Sequence, residues 1–199
     1  TPHCVVGQCT AEGLADWFAK SSTQASSNYG IDKDGRVGLY VDEKNRSWCT
    51  GGAKRVSGKT GSQNDQKAVT IECASDALEP YAFRAVVYDK LIALCEDICR
   101  RNGKTKLLWL GRAEKTEANE PKKDEMLISL HCWYAYKTCP GSWLISRIAD
   151  LAAAVTKRLQ GEAQPSEILF RVQIGAFGNK KYAEDYAEKA NAAGFPTVI

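Results

Sequence analysis

"AVTIECA", residues 68 to 74, is the stretch on which the fold turns. It is short, apolar and rich in β-branched residues, the pattern of a strand buried inside a sheet. One residue breaks the pattern. Glu72 places a charge within the apolar run, and acidic groups are rarely buried without a partner or a role. An ion pair with a lysine or arginine would give it a structural reading, and a place in a reactive site a chemical one.

On the N-terminal side, "TPHCVVGQC" (1–9) reads as a short strand entering a helix over Thr10 to Lys20, with Thr10 as N-cap. In residues 21–48, "DKDG" is a turn signal between two β-like runs and predicts a hairpin. "GGAKRVSGKTGSQND" (51–65) is Gly- and Ser-rich and reads as a surface loop. On the C-terminal side, residues 82–102 carry helical periodicity through Val86, Val87, Leu91, Leu94, Cys95, Ile98 and Cys99 and stop at Asn102-Gly103. "KLLWLG" (106–111) reads as a strand, "AEKTEANEPKKDE" (113–125) as a charged loop and "MLISLHCW" (126–133) as a further strand. Residues 142–160 read as a second amphipathic helix. Strands and helices alternate, so the class is α/β.

At "QGEAQPSE" (160–167) the composition shifts to that of a linker. The expected division is a first domain over 1–159, a linker over 160–168 and a second unit over 169–199. Those last thirty-one residues read as a strand, a helix and the start of another strand, a truncated βαβ unit too small to be stable alone.

The 199 residues suffice for one well-cored domain and an appendage. A net charge of +3, with acids and bases interspersed, is too mild to argue for nucleic acid. No apolar stretch reaches the roughly 20 residues of a membrane span. No signal peptide is visible, so synthesis in the cytoplasm is expected. The eight cysteines lack the spacing of a disulfide scaffold, which favours a reducing compartment.

Chemistry concentrates in "HCWYAYKTCPG" (131–141). His131 is one of two histidines, the other being His3, and Cys139 follows eight residues later. Zinc prefers nitrogen and sulfur donors in a tetrahedron, so His3, His131 and Cys139 make a possible three-ligand set. Either histidine alone would more often be a hydrogen-bonded structural residue. Lys137 is by default a solvated side chain, but beside a metal it could stabilise an oxyanion.

Taken in order, "TPHCVVGQCTAEGLADWF", "SSNYGIDKDGRVGLYV", "NDQKAVTIECA" and "HCWYAYKTCPG" resemble the type 2 N-acetylmuramoyl-L-alanine amidases, which share the fold of peptidoglycan recognition proteins. The flavour is that of clostridial phage endolysins and prophage autolysins, over roughly residues 1 to 158. The resemblance implies a central mixed β-sheet flanked by helices, with a first strand before Thr1. It implies zinc held by His3, His131 and Cys139, with Glu72 and Lys137 as catalytic residues. It also implies hydrolysis of the bond between N-acetylmuramic acid and L-alanine, the partners being the stem peptide and glycan strand of the cell wall. Ser27 stands where some phage relatives carry a catalytic tyrosine, with Tyr29 out of register, and Cys49 stands where many relatives carry a histidine. The tail "FRVQIGAFGNKKYAEDYAEKANAAGFPTVI" (170–199) resembles the first half of a sporulation-related repeat (SPOR) domain, which binds glycan strands stripped of peptide.

Cys4 and Cys132 follow the two histidines directly and, on strands, would point away from the site into the core. Trp48, Trp109, Trp133 and Trp143 read as core residues before groove residues. The alternatives are a non-catalytic recognition module, a cysteine peptidase using His131, and a structural zinc site.

Overall fold

Each expected strand near the N-terminus forms, and their pairing builds a mixed sheet. The structure, a computed structural model, describes residues 1–52 and 58–161, together with Val172–Gln173 and a few positions between 181 and 188. The expected linker from residue 162 onward and most of the second unit lie outside the described residues.

The sheet runs in the order β1 (Pro2–Cys4), β4 (Ile71–Cys73), β2 (Tyr29–Ile31), β3 (Val37–Leu39) and β7 (Val172–Gln173). β4 is parallel to both β1 and β2, and β2 and β3 form the antiparallel hairpin expected at "DKDG". β7 lies parallel to β3. The hairpin turn is fixed by Asp32, whose fully buried carboxylate accepts from the backbone N–H groups of Asp34 and Arg36 at 2.9 Å each. Arg36 Nε closes on the same carboxylate at 2.8 Å, and its guanidinium reaches Glu12 on α1 (Ala11–Ala19). The Thr10 hydroxyl caps α1 by accepting from Gly13 N at 3.0 Å.

The core sits between the sheet and α3 (Ala85–Arg101), whose Val87, Leu91, Leu94, Ile98 and Cys99 are all buried at helical spacing, while Cys95 is half-buried and Val86, expected on the same face, is exposed. α6 (Ile148–Gln160) packs against α3 and against β5 (Lys106–Leu108), burying Leu151 and Val155. β5 pairs in parallel with β6 (Glu125–Leu127) as a separate two-stranded sheet.

Four expectations need correction. The charged segment at 113–125 begins with a helix, α4 (Ala113–Ala118), because Ala, Glu and Lys are good helix formers and Ala113 and Thr116 bury one side. The helix expected over 142–160 is two, α5 (Ser142–Ile145) and α6, broken where Arg147 turns its guanidinium over the Trp143 ring at 4.2 Å. The Gly/Ser-rich loop contains a short helix, α2 (Gly61–Asp65), started by a capping box between Thr60 and Gln63. The strand expected to reach Trp133 ends at Leu127, and His131–Trp133 is a 3-10 turn. Cys132 is therefore not turned away by strand alternation; it is half-buried and packs against the core. The tryptophans divide: Trp109 stacks on buried Trp133, Trp143 packs on Phe83, and Trp48 is 57% exposed.

Leu91 is fully buried between the sheet and the helical layer. Leu91→Ala should lower unfolding free energy by about 2–5 kcal/mol, since the cavity cannot fully collapse. Urea denaturation monitored by tryptophan fluorescence reads this, and an unmoved midpoint would contradict the packing described.

Candidate metal centre

Parallel pairing sets His3 directly opposite Glu72 and Cys4 opposite Cys73. Paired residues project from the same face, so His3 and Glu72 emerge together while Cys4 and Cys73 are buried, Cys4 with its thiol against that of Cys139. The loop after β6 brings the remaining donors to that face. His131 opens the 3-10 turn, and Cys139 follows after a chain reversal held by Cys132 N donating to Cys139 O at 3.1 Å. Gly141 completes the reversal at φ +88°, where a Cβ would stand 2.6 Å from the Pro80 carbonyl oxygen. Only glycine fits there, which explains the Pro-Gly ending of the motif.

His3 Nδ1 lies 3.2 Å from His131 Nδ1 and 3.5 Å from Cys139 Sγ. The three residues form a donor set with every atom within 4.8 Å of the others. Donors about 2.0–2.3 Å from a tetrahedral zinc stand roughly 3.3–3.8 Å apart, so these spacings are close to those an ion requires. Burial pushes the His3 imidazole well below its ordinary value, with His131 adding to it. Burial, then the nearby Lys137 ammonium, lowers His131. Both rings are thus neutral at pH 7 and have a lone pair to offer. The His131 ring also hydrogen-bonds the backbone of Thr50. With Nδ1 turned to His3, the donor of that bond is Nε2, which leaves the Nδ1 lone pair aimed at the centre. The neighbouring Cys4 thiol, then burial, hold the Cys139 thiol well above its ordinary range, and a bound cation would reverse that by taking the thiolate.

Glu72 is held differently. Its one hydrogen bond comes from the Cys49 thiol, donating to Oε1 at 3.4 Å, while Oε2 is buried without a partner among the described residues. Its partner is a thiol and not the cation of the structural reading. Burial raises the carboxyl to about 7, only partly offset by the thiol. Lys137 is exposed on the loop two residues before Cys139. His3, Glu72, His131 and Cys139 therefore stand around one face of the sheet, and Lys137 lies on the loop that carries two of them.

Cys49 is the residue whose part sequence reasoning missed. It stands at the centre, within 4.8 Å of donor atoms of His3 and Glu72. Its loop is anchored by Asp65, a buried carboxylate accepting from Cys49 N at 3.1 Å and from the backbone and hydroxyl of Thr50. The sequence offered one signal, the departure from histidine at that position. Ser27, the other departure, is fully buried, donates to Tyr29 O at 2.8 Å and shares the Thr70 hydroxyl. Ser27 also hydrogen-bonds the Cys49 thiol, so it borders the centre, whereas the Tyr29 hydroxyl donates to Glu43 at 2.6 Å.

A family model described as N-acetylmuramoyl-L-alanine amidase matches residues 1–142, and one described as SPOR domain matches residues 166–199. No curated protein matches the chain.

Gly141→Ala should cost on the order of 1–3 kcal/mol of stability, since the strained backbone is compounded by the clash with Pro80. Equilibrium denaturation measures it; a midpoint equal to that of the native chain would refute the argument for glycine.

Proposed function

Because the chain belongs to the N-acetylmuramoyl-L-alanine amidase family, we propose that it is a zinc-dependent enzyme. It cuts the amide between the lactyl group of N-acetylmuramic acid and L-alanine in bacterial peptidoglycan. Membership itself implies peptidoglycan amidase activity at the cell wall, and the SPOR match adds a second peptidoglycan-binding family. Among the described residues no helix is long and apolar enough to cross a membrane. The observation that carries the finer reading is the convergence of His3, His131 and Cys139 beside a buried, under-bonded Glu72.

In this reading His3, His131 and Cys139 hold zinc, and their nitrogen and sulfur donors suit that ion over magnesium or calcium. Bound zinc supplies a lowered pKa for water and a polarised substrate carbonyl. Glu72 Oε2 accepts the proton of the attacking water and returns it to the departing alanine amine. Burial serves that role, because a base with a pKa near 7 is ionised often enough and still able to give the proton up. The Cys49 thiol holds Oε1 and keeps Oε2 turned to its task. Lys137, on a loop close enough to depress His131, stabilises the negative oxygen of the tetrahedral intermediate. The unit at 169–199 holds glycan strands that the enzyme has stripped of peptide, so product and ligand are one polymer. An endolysin or autolysin role, lysing the wall from which that polymer comes, completes the proposal.

Digestion of purified cell walls by zinc-loaded protein should release new alanine amino termini and no new reducing sugar ends. A chelator should abolish the release. Binding to walls without either product would mean a recognition protein, and activity resistant to chelation a thiol enzyme.

Two variants divide the chemistry. Glu72→Gln should lose about 100- to 10,000-fold in turnover by removing the proton carrier. Lys137→Ala should lose about 100- to 1,000-fold, as for an oxyanion donor, while keeping native zinc content. Native turnover in either variant, with zinc content read by atomic emission, would remove that residue from the mechanism.

A further inference from the structure

We propose that Cys49, Glu72 and His3 form a second seat for a thiophilic divalent ion, and that an ion there blocks hydrolysis. The blocking rests on the reading of Glu72 given above; the seat does not.

The three residues offer one donor atom each within 4.8 Å of the others. The Cys49 Sγ to Glu72 Oε1 separation of 3.4 Å is an edge of the size that sulfur and oxygen make around a tetrahedral ion. Two further atoms point to a missing ligand. Glu72 Oε2 and His3 Nε2 are both buried and without a hydrogen-bond partner among the described residues. His3 Nδ1 is engaged with His131 and Cys139, so Nε2 is the ring nitrogen left to serve a second set. The seat is also rigid. Cys49 is fixed through its backbone by Asp65, while His3 and Glu72 are fixed by opposite positions on paired strands.

A set of one sulfur, one nitrogen and one oxygen selects zinc or cadmium over magnesium or calcium. Binding releases the Cys49 thiol proton as the sulfur–metal bond forms, and Glu72, which has to donate as carboxylate, gives its proton to solvent wherever it holds one. A ring ligated through both nitrogens has to surrender its last N–H proton, so the two seats compete for His3. An ion in the second seat also ties up the Glu72 oxygens that the proposed reaction needs.

Cadmium alone is the probe, because cadmium–thiolate bonds give an ultraviolet charge-transfer band. Cys139→Ser, which removes the sulfur of the first seat, should retain a band on cadmium addition. Cys49→Ser should retain one from Cys139, which also shows that this variant folds and binds. The double variant Cys49→Ser/Cys139→Ser should lose the band at least tenfold. Absence of the band from Cys139→Ser, or an undiminished band in the double variant, overturns the seat. In wall digestion, excess zinc should inhibit the native chain and leave Cys49→Ser, whose hydroxyl can still donate to Glu72, at that variant's own single-equivalent rate; equal inhibition of both overturns the blocking. A zinc-loaded native chain that releases no alanine termini would count against the amidase reading alone and leave the cadmium result standing.

Discussion

The register of β1 against β4 is the constraint on which the site depends. His3 faces Glu72 because those strands pair in parallel at that alignment. Slipping β1 by one residue would turn His3 into the core and bring a cysteine out in its place, since side chains alternate with a period of two. Nothing in the strands' length protects that register, as each is three residues long. What protects it is burial: Cys73 and Ile71 on one strand and Cys4 on the other are packed in the core. The hydrophobic face of the sheet thus sets where the polar face places its donors.

Three buried or part-buried carboxylates show how differently one fold treats an acid. Asp32 is saturated by two backbone donors and an arginine, and Asp65 by two backbone donors and a hydroxyl. Both lock loops in place. Among the described residues Glu72 has a single weak thiol donor and an oxygen with none. Under-bonding of a buried acid is costly and has to be supported by the surrounding fold, which is the pattern of a reactive group and not of a structural one.

Much of this was legible in the sequence. The hairpin followed from "DKDG", α3 from its apolar periodicity, and the β4 strand with its anomalous glutamate from "AVTIECA". That His3, His131 and Cys139 come together could be expected only from the family resemblance, since local pattern carries no long-range pairing. What escaped was decided by tertiary contact. No proline or glycine marks the break between α5 and α6; a cation over a tryptophan ring does. The charges of 113–125 hid the helix-forming residues of α4 among them. Cys49 read as a departure because its proximity to Glu72 is created by the Asp65 anchor, sixteen positions away in the sequence.

The hydrogen bond from Cys4 N to Cys139 Sγ, at 3.4 Å, gives the ligand loop a second duty. β1 is the outermost strand of the described sheet on its side, and the N–H of Val5 turns inward to Cys73 O. That of Cys4 therefore faces outward, where a strand from another molecule would dock. Exposed edges of this kind are templates for self-association, and proteins cover them with loops or charges. Here the cover is the sulfur of Cys139, a member of the candidate donor set. Solubility and site assembly are thereby joined in one loop, so a change that frees Cys139 from the centre also uncovers a sheet edge.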